Sequence, residues 1–309
     1  MGLYIEDFLE HCVLDRNLAP GTVKMYRYYL ETFLGWLDSQ GKLSLTPGNL
    51  GLDLIRGYRL YLSGHVNPIK GPLKRSTQTY FIVALRALLR YLSKKGVKGP
   101  ASDQIELGRL NDRQIKFLTS QELTRVLGAP DITTDIGLRD KALLEVLFST
   151  GLRVSELVRL NRDEINLNTR EFGVLGKGGK VRLVFLSKRA CMYLEKYIRN
   201  RADTYKAVFI RFRGKMSQSH QEDDMRLTVR SVERIVEGYG KKCRLRFRIG
   251  PHVLRHSFAT DLLSHGADLR SVQELLGHSN VGTTQIYTHV TNPQLRQVHE
   301  EFHSGNTDE

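Results

Sequence analysis

The stretch between residues 250 and 290 constrains the fold most, because it combines helix signals with several reactive side chains. Gly250-Pro251 predicts a helix start, since proline is tolerated in a first turn. Asp268 predicts the N-cap of a second helix, which ends at Leu276-Gly277, and a third helix follows. The corners between these helices are predicted to bring four side chains within reach of one another: His252, Arg255, His278 and Tyr287.

The first of these helices has an apolar stripe formed by Leu254, Phe258 and Leu262. A helical wheel then places His252 and Arg255 together on the flank of the stripe. His252 also lies four residues before His256, a spacing that could ligate zinc. The glutamate of an HExxH motif is missing, however, and Arg255 would repel a cation, so no metal site is expected.

Length and composition indicate a globular protein with two domains. The 309 residues can supply two hydrophobic cores, and the hydrophobic content of 40% is ordinary for such a chain. No apolar run approaches the roughly 18 residues of a membrane span. The N-terminus carries acidic residues where a signal peptide would be basic. The sequence therefore predicts a cytoplasmic protein with no membrane partner.

Charge gives the first indication of function, whereas cysteine content gives none. The three cysteines are odd in number and far apart, which predicts neither a disulfide framework nor a metal site. The formal net charge is +14, from 47 Lys and Arg against 33 Asp and Glu. Such a positive field attracts polyanions and favours a nucleic acid as partner. Excess charge that merely keeps the protein soluble is the alternative, and charge alone leaves both open.

Residues 1–98 are predicted to form a small four-helix bundle. Apolar residues recur at helical spacing in four segments: 3–14, 20–41, 52–62 and 76–92. Basic and hydroxyl side chains crowd the start of the fourth segment: Lys70, Lys74, Arg75, Ser76 and Thr77. A helix N-terminus beside lysine and arginine is a natural phosphate site, but a solvated basic loop explains this segment equally well.

A polar, glycine-containing stretch, residues 99–116, is predicted to link the bundle to a second domain at 117–309. Thr119 and Glu122 have the spacing of a capping box ahead of an apolar helix. A later apolar helix ends at Gly151. Arg153 is predicted in the first turn of the next helix, with Glu156 on the same face. A weak surface ion pair is the alternative interpretation of these two residues.

Two β-rich runs, Phe172–Leu175 and Val181–Leu186, predict a hairpin around a Gly-Gly turn that carries Lys177 and Lys180. The turn lacks the GxxxxGK[ST] pattern and no helix follows it, so nucleotide binding is not expected. Farther along the chain, periodicity predicts a helix, a short strand and another helix: 190–199, 207–212 and 227–239.

Five short sequence blocks follow one another along the chain: TGLRVSEL, GKGGK, HVLRHSFAT, LLGH and IYTH. Together they resemble the signature blocks of the tyrosine recombinases, and within that family the Xer-type or phage-integrase-like members. The resemblance covers residues 117–290, and the helical region before them is similar in layout to the family's core-binding domain. A set of six spaced positions is far more specific than any single motif.

The resemblance implies a role for each matched position. Tyr287 would attack the scissile phosphate and become a 3′-phosphotyrosine, and Lys177 would protonate the departing 5′ oxygen. A tyrosine with a pKa near 10 needs a base or a cationic site to act at neutral pH, and the 5′ alkoxide is a poor leaving group. Glu156 matches an acidic position that supports the active site.

Four further positions would serve the phosphate itself. The resemblance implies that Arg153 and Arg255 hold the non-bridging oxygens, while His252 and His278 assist proton transfer and phosphate contact. Two planar guanidinium groups can stabilise the charge that builds on those oxygens without a metal ion. No cofactor is therefore expected, and the covalent ester conserves the bond energy, so that religation needs no ATP.

The resemblance also implies partners. The substrate would be double-stranded DNA with inverted half-sites. Lys180 and the basic set that includes Lys74 and Arg75 are the candidate DNA contacts, chosen for their charge and position. The tail from Pro293 onward would dock on a neighbouring protomer, which predicts a homotetramer on synapsed DNA. A paralogous recombinase or a DNA translocase would be a further partner. The segment from residue 217 to 226 is longer and more acidic than the family pattern leads us to expect.

The expected fold is mostly α with a small antiparallel β-sheet: a four-helix, SAM-like core-binding domain followed by a mainly helical catalytic domain. The expected function is site-specific DNA recombination, with chromosome dimer resolution as the biological task. Phage or transposon integration is the nearest alternative, and a type IB topoisomerase shares the chemistry. A non-catalytic DNA-binding regulator would keep the basic charge but has no reason to hold all six catalytic residue types.

Overall fold

The computed structural model describes residues 1–67, 71–108, 116–176, 179, 181–212 and 225–277. Two compact units make up the chain, Met1–Arg113 and Gln114–Glu309, and the division falls within the predicted linker. Several predicted features lie outside the described residues: Lys70, Lys177, Lys180, His278, Tyr287, most of the segment 217–226 and the tail.

The N-terminal unit contains the four predicted helices, each within a few residues of its expected bounds. They are α1 (Gly2–Leu14), α2 (Pro20–Ser39), α3 (Leu52–Gly64) and α4 (Arg75–Lys94). A short antiparallel pair that the sequence did not predict, β1 (Val66–Asn67) and β2 (Gly71–Pro72), joins α3 to α4. The four-helix prediction is confirmed.

Helix α4 organises the core of this unit, because its two apolar sides pack on different partners. Leu88 lies in one cluster with Phe8 of α1, whereas Leu85 lies in another with Phe33 of α2 and Tyr58 of α3. All of these side chains are at most 1% exposed. Burying such a side chain stabilises the unit by about 1.5 to 3 kcal/mol. Ile105, from the predicted linker, belongs to the second cluster.

Seven helices are described in the C-terminal unit: α5 (Ser120–Gly128), α6 (Asp135–Thr150), α7 (Val154–Leu157), α8 (Lys188–Arg199), α9 (Val229–Lys242), α10 (Pro251–Ser264) and α11 (Leu269–Leu276). The predicted capping box opens α5, where Thr119 Oγ1 accepts the Glu122 N–H at 3.3 Å and Glu122 Oε2 accepts the Thr119 N–H at 3.0 Å. The predicted N-cap of α11 is also present, since the Asp268 side chain accepts the N–H of Ser271.

The predicted hairpin consists of β3 (Glu171–Leu175) and β4 (Val181–Phe185), paired antiparallel with Gly173 opposite Leu183. Phe172, Val174 and Val184 are buried, which is the alternation expected of a half-buried sheet. The strand predicted at 207–212 is wrong. Within the described residues, that run forms only isolated bridges at Ala207 and Ile210, because the neighbours it bonds are loop residues rather than strands.

Helix α6 is the centre of the second unit and packs between α8 and α10. From Gly137 onward it is buried on nearly all sides, and four charged residues there are enclosed with partners. Arg139 and Asp140 pair at 2.7 Å, and Lys141 and Glu145 pair at 2.7 Å. A buried charge requires such pairing, because its desolvation is costly. The turn that follows α6 is therefore attached to a helix that is enclosed in the core.

The fold class is confirmed as mostly α with a small antiparallel sheet. Among the described helices, none combines the length and the apolarity that crossing a membrane requires.

Candidate active site

Arg153 and Glu156 lie at the turn between α6 and α7. Gly151 ends α6 with a φ of 59°, and a Cβ atom there would lie 2.5 Å from the ring of Phe258, so the turn requires glycine. Arg153 occupies the N-cap of α7, one residue before the predicted first turn. Glu156 accepts its backbone N–H at 2.8 Å and its Nη1 at 3.0 Å. The predicted pair forms, but Glu156 is buried, unlike a carboxylate in a surface pair.

Glu156 has a second cationic partner, Arg182 of β4, which the sequence reasoning missed. Arg182 Nη1 donates to Glu156 Oε1 at 2.9 Å, and Nη2 donates to Oε2 at 2.8 Å. The signal for it was present in the strand alternation, because Arg182 shares the inward face of β4 with buried Val184. A charged residue on that face indicates a buried partner.

The electrostatics of this cluster keep Glu156 ionised. Burial by itself would raise the pKa of Glu156, but hydrogen bonds from Arg182 and from the Arg153 backbone outweigh it and lower the pKa to about 2. The carboxylate therefore remains a fixed acceptor between two guanidinium groups at neutral pH.

Arg255 connects the ends of two helices. Its Nη1 donates to the carbonyl oxygen of Gly151 at 2.5 Å, and its Nη2 donates to that of Leu276 at 2.7 Å. Both carbonyl groups lie at helix C-termini, where the helix dipole favours a cation. Arg153 Nη2 reaches the same end of α11, 3.4 Å from the Gly277 carbonyl oxygen. Two predicted arginines thus converge on the residues that directly precede His278 in the sequence.

The predicted position of Arg255 on the helix flank is wrong. Arg255 is only 5% exposed and lies one turn before Phe258 and Ala259, which are buried as well. The wheel placed Arg255 beside His252, which is exposed, whereas Arg255 is buried because two carbonyl groups accept its hydrogen bonds. Leu262 is half-buried, and Leu263 is fully buried in its place.

The two histidines of α10 have different environments. His252 is exposed near the start of the helix, three residues before Arg255. Burial, together with electrostatic interactions with His252 and Arg255, lowers the pKa of His256 to about 4. His256 is therefore neutral at pH 7, and it does not add positive charge beside Arg255.

Comparison with known proteins places nearly the whole chain in one protein family. The model of the phage integrase family matches residues 116–293, and that of the phage integrase N-terminal SAM-like domain matches residues 5–96. Tyrosine recombinase XerD of Listeria monocytogenes serovar 1/2a is 37% identical over 309 residues, which cover 98% of this chain and 99% of that protein. The chain belongs to the phage integrase family.

Two further relatives support the same family assignment. Tyrosine recombinase XerC of Myxococcus xanthus is 36% identical, with 97% of each chain covered. The solved structure of the XerH site-specific recombinase bound to palindromic difH substrate, a post-cleavage complex, shares the fold. It aligns with a TM-score of 0.68 at 22% identity, over 96% of this chain and 84% of that one. The protein is a tyrosine recombinase of the Xer type, an enzyme that cleaves and rejoins DNA at specific sites.

The structure of this recombinase brings together part of the predicted catalytic set. Arg153, Glu156 and Arg255 meet around the end of α11, while His252 lies at the start of α10. Lys177, His278 and Tyr287 lie outside the described residues, and their roles stay predictions. Lys177 belongs in sequence to the turn between β3 and β4.

Two of the predicted DNA contacts at the start of α4 are exposed, and two are half-buried. Lys74 is the N-cap residue and Arg75 the first residue of the helix, and both are exposed. A lysine side chain has no acceptor, so it cannot cap the first N–H groups itself. Arg75 also lines a cavity of about 760 Å³ together with Arg56 and Arg59 of α3. The sequence reasoning missed these two arginines. Their spacing of three residues on one helix was the available signal.

Proposed function

We propose that Tyr287 attacks the scissile phosphodiester of a recombination site. The tyrosine oxygen forms a bond to phosphorus, the bond from phosphorus to the 5′ oxygen breaks, and the products are a 3′-phosphotyrosyl ester and a 5′ hydroxyl. Lys177 donates the proton that the departing oxygen needs. Attack by a 5′ hydroxyl of the other duplex reverses these steps and exchanges strands through a Holliday junction.

In this proposal, Arg153 and Arg255 bind the non-bridging oxygens, where charge builds in the transition state, and His252 and His278 assist proton transfer. The observation that carries the assignment is the convergence of Arg153 and Arg255 on the carbonyl groups at the end of α11. Cations held in place before the reaction stabilise developing charge without further reorganisation. The phosphotyrosyl ester keeps the energy of the broken bond, so the proposed cycle needs neither ATP nor a metal ion.

The proposed substrate is double-stranded DNA with inverted half-sites, bound by a homotetramer. The net charge of +14 and the exposed basic start of α4 support DNA binding. The proposed DNA contacts of the basic set are Lys70, Lys74, Arg75, Ser76, Thr77 and Lys180. The relative XerH was solved on a palindromic site, which supports a paired arrangement of half-sites.

The proposed biological task is chromosome dimer resolution in the cytoplasm, where the chromosome lies. Nearly equal identities, 37% to a XerD and 36% to a XerC, support a Xer-type role, and a paralogous recombinase is one proposed partner. A DNA translocase is the other partner proposed. Phage or transposon integration is the second candidate task, supported by the similarity to the phage integrase family model.

A suicide duplex tests the chemistry. The duplex carries a nick beside the scissile phosphate of a site selected from the organism's own chromosome, so that the cleaved fragment diffuses away. We expect a covalent protein–DNA adduct from the unmutated chain and none from Tyr287→Phe, because the phenyl ring offers no nucleophile. Absence of an adduct from the unmutated chain on a site that it binds would contradict the proposal.

The same reaction separates the alternatives when a second, intact site is added. Strand exchange between the two sites supports recombination, whereas an adduct without strand exchange indicates a topoisomerase. Crosslinking of the synapsed complex reports the number of protomers, and a number other than four rules out the tetramer.

A further inference from the structure

Arg182 contacts two parts of the site at once. Its two terminal nitrogens bind both oxygens of Glu156, and its Nε donates to the carbonyl oxygen of Leu275 at 3.2 Å. The side chain is 10% exposed. It therefore connects α7, through Glu156, to the C-terminal end of α11, and it stands on β4, where it pairs with Val174 of β3.

The bidentate pairing determines how Glu156 can hold Arg153. A carboxylate matches the fork of a single guanidinium group, and here that guanidinium group belongs to Arg182. Arg153 receives one side-chain contact from Glu156, through Nη1 at 3.0 Å, and a second contact through its backbone N–H. Its side chain keeps 27% of its surface exposed. Without Arg182, Glu156 could form its own bidentate pair with Arg153 and turn that guanidinium group away from a substrate.

The end of α11 fits closely around Arg182. Gly277 has a φ of 63°, and a Cβ atom at this position would lie 2.8 Å from Cδ of Arg182 and 3.3 Å from its Nε. A larger residue would displace either the side chain or the helix end. The glycine therefore serves both the left-handed turn and the approach of Arg182.

We propose that Arg182 is a positioning residue for DNA cleavage, which fixes Arg153 through Glu156 and holds the end of α11 beside it. This inference rests on the proposed function, because it takes Arg153 as a ligand of the scissile phosphate. Arg182 itself does not contact the phosphate. Its role is to occupy both oxygens of Glu156, so that this carboxylate holds the Arg153 side chain through one contact rather than through a bidentate pair.

The test compares Arg182→Gln, Arg182→Lys and the control Arg199→Gln, which removes an exposed arginine paired with Glu195. Single-site DNA affinity and single-turnover cleavage of the suicide duplex are measured for each variant. We expect Arg182→Gln to slow cleavage about 100-fold, the size of effect that a misplacement of about 1 Å causes. DNA affinity should stay within about twofold of the unmutated chain, because in this proposal Arg182 does not contact DNA.

Arg182→Lys keeps the charge but offers one point contact in place of a fork, so we expect cleavage to slow at least about 10-fold. This variant also serves if Arg182→Gln does not fold, as judged by its thermal transition. Cleavage by folded Arg182→Lys at the rate of the unmutated chain would overturn the inference. A parallel loss of DNA affinity and cleavage would overturn it as well.

A double variant tests the route through Glu156. If Arg182 acts through this carboxylate, Glu156→Gln combined with Arg182→Gln should cleave no more slowly than Glu156→Gln alone. Additive losses would show that Arg182 acts elsewhere. A duplex with sulfur at the bridging 5′ position needs no proton donor for its leaving group. It should leave the Arg182→Gln defect unchanged, and rescue on this duplex would overturn the inference by indicating a lost proton donor.

Failure of the proposed function gives a different result. It appears as the absence of an adduct from the unmutated chain, whereas equal adduct formation by the unmutated chain and folded Arg182→Gln contradicts only the role of Arg182.

Discussion

The arginines around the end of α11 and the basic residues at the start of α4 carry the same charge in opposite settings. Arg255 is buried and Arg182 is half-buried, and both are bound to carboxylate or carbonyl oxygens of other elements, while Arg153 is held by Glu156. Lys74 and Arg75 are exposed at a helix start. Buried cations need partners, and those partners fix their position, whereas exposed cations move freely and attract a polyanion from a distance. One group therefore provides geometry and the other provides attraction.

The largest effect should follow the loss of a buried cation. We expect Arg255→Met to lower the free energy of unfolding by about 2 to 5 kcal/mol, because two buried carbonyl groups lose their donor. Urea denaturation of the variant and the unmutated chain measures the difference. Arg199→Gln is the control and should change the free energy of unfolding by less than about 0.5 kcal/mol. If Arg255→Met lowered the free energy of unfolding as little as the control does, burial would not distinguish the arginines around the end of α11 from the exposed basic residues at the start of α4.

An intermediate effect should appear at acid pH. The pKa of Glu156 is about 2 in the folded chain, below its usual value of 4.5. The ionised Glu156 carboxylate therefore stabilises the folded chain fully above about pH 4.5, and this stabilisation is lost as the pH falls toward 2. From these two pKa values we expect it to decrease by about 2 kcal/mol between pH 7 and pH 3.

The measurement is the difference in the free energy of unfolding between the unmutated chain and Glu156→Gln at several pH values. Titration of the other groups cancels in that difference, so the remaining slope belongs to Glu156. A difference that stays constant from pH 7 to pH 3 would show that the buried carboxylate is not held by its two arginines.

The smallest effect on stability should come from the exposed residues Lys74 and Arg75, because we expect them to contribute to DNA binding rather than to folding. Replacing Lys74 and Arg75 together with glutamine should leave the free energy of unfolding unchanged. The slope of log affinity against log salt concentration should become shallower by about 1.8, or about 0.9 for each lost phosphate contact. Cleavage of saturating DNA should be unaffected.

Fluorescence anisotropy on a single site, at salt concentrations from 50 to 200 mM, measures that slope. Lys42→Gln, at an exposed lysine after α2, is the matched control for a change of charge in the same unit. A cleavage defect that persists at saturating DNA would mean that the start of α4 also contributes geometry, and the contrast between the two groups would fail.

Local sequence signals were sufficient for much of the fold. The proline at the start of α10, the capping box at Thr119 and the glycine at the end of α6 each act within one helical turn, so their effects could be predicted. The hairpin of β3 and β4 was predictable for the same reason. The strand predicted at 207–212 was wrong because composition indicates β preference but not which partners a segment finds.

The order and identity of the sequence blocks alone determined the family and the candidate catalytic residues, because spaced residue types are properties of the sequence. Only the tertiary structure decided how the cations are held. Arg182 reaches Glu156 across 26 residues of sequence, and Arg255 reaches the Gly151 carbonyl across 104. Every residue has a carbonyl group, so the sequence does not indicate which carbonyl group an arginine will bind. An inward-facing arginine can therefore be recognised as unusual, but its partner is known only when the helix ends are placed in space.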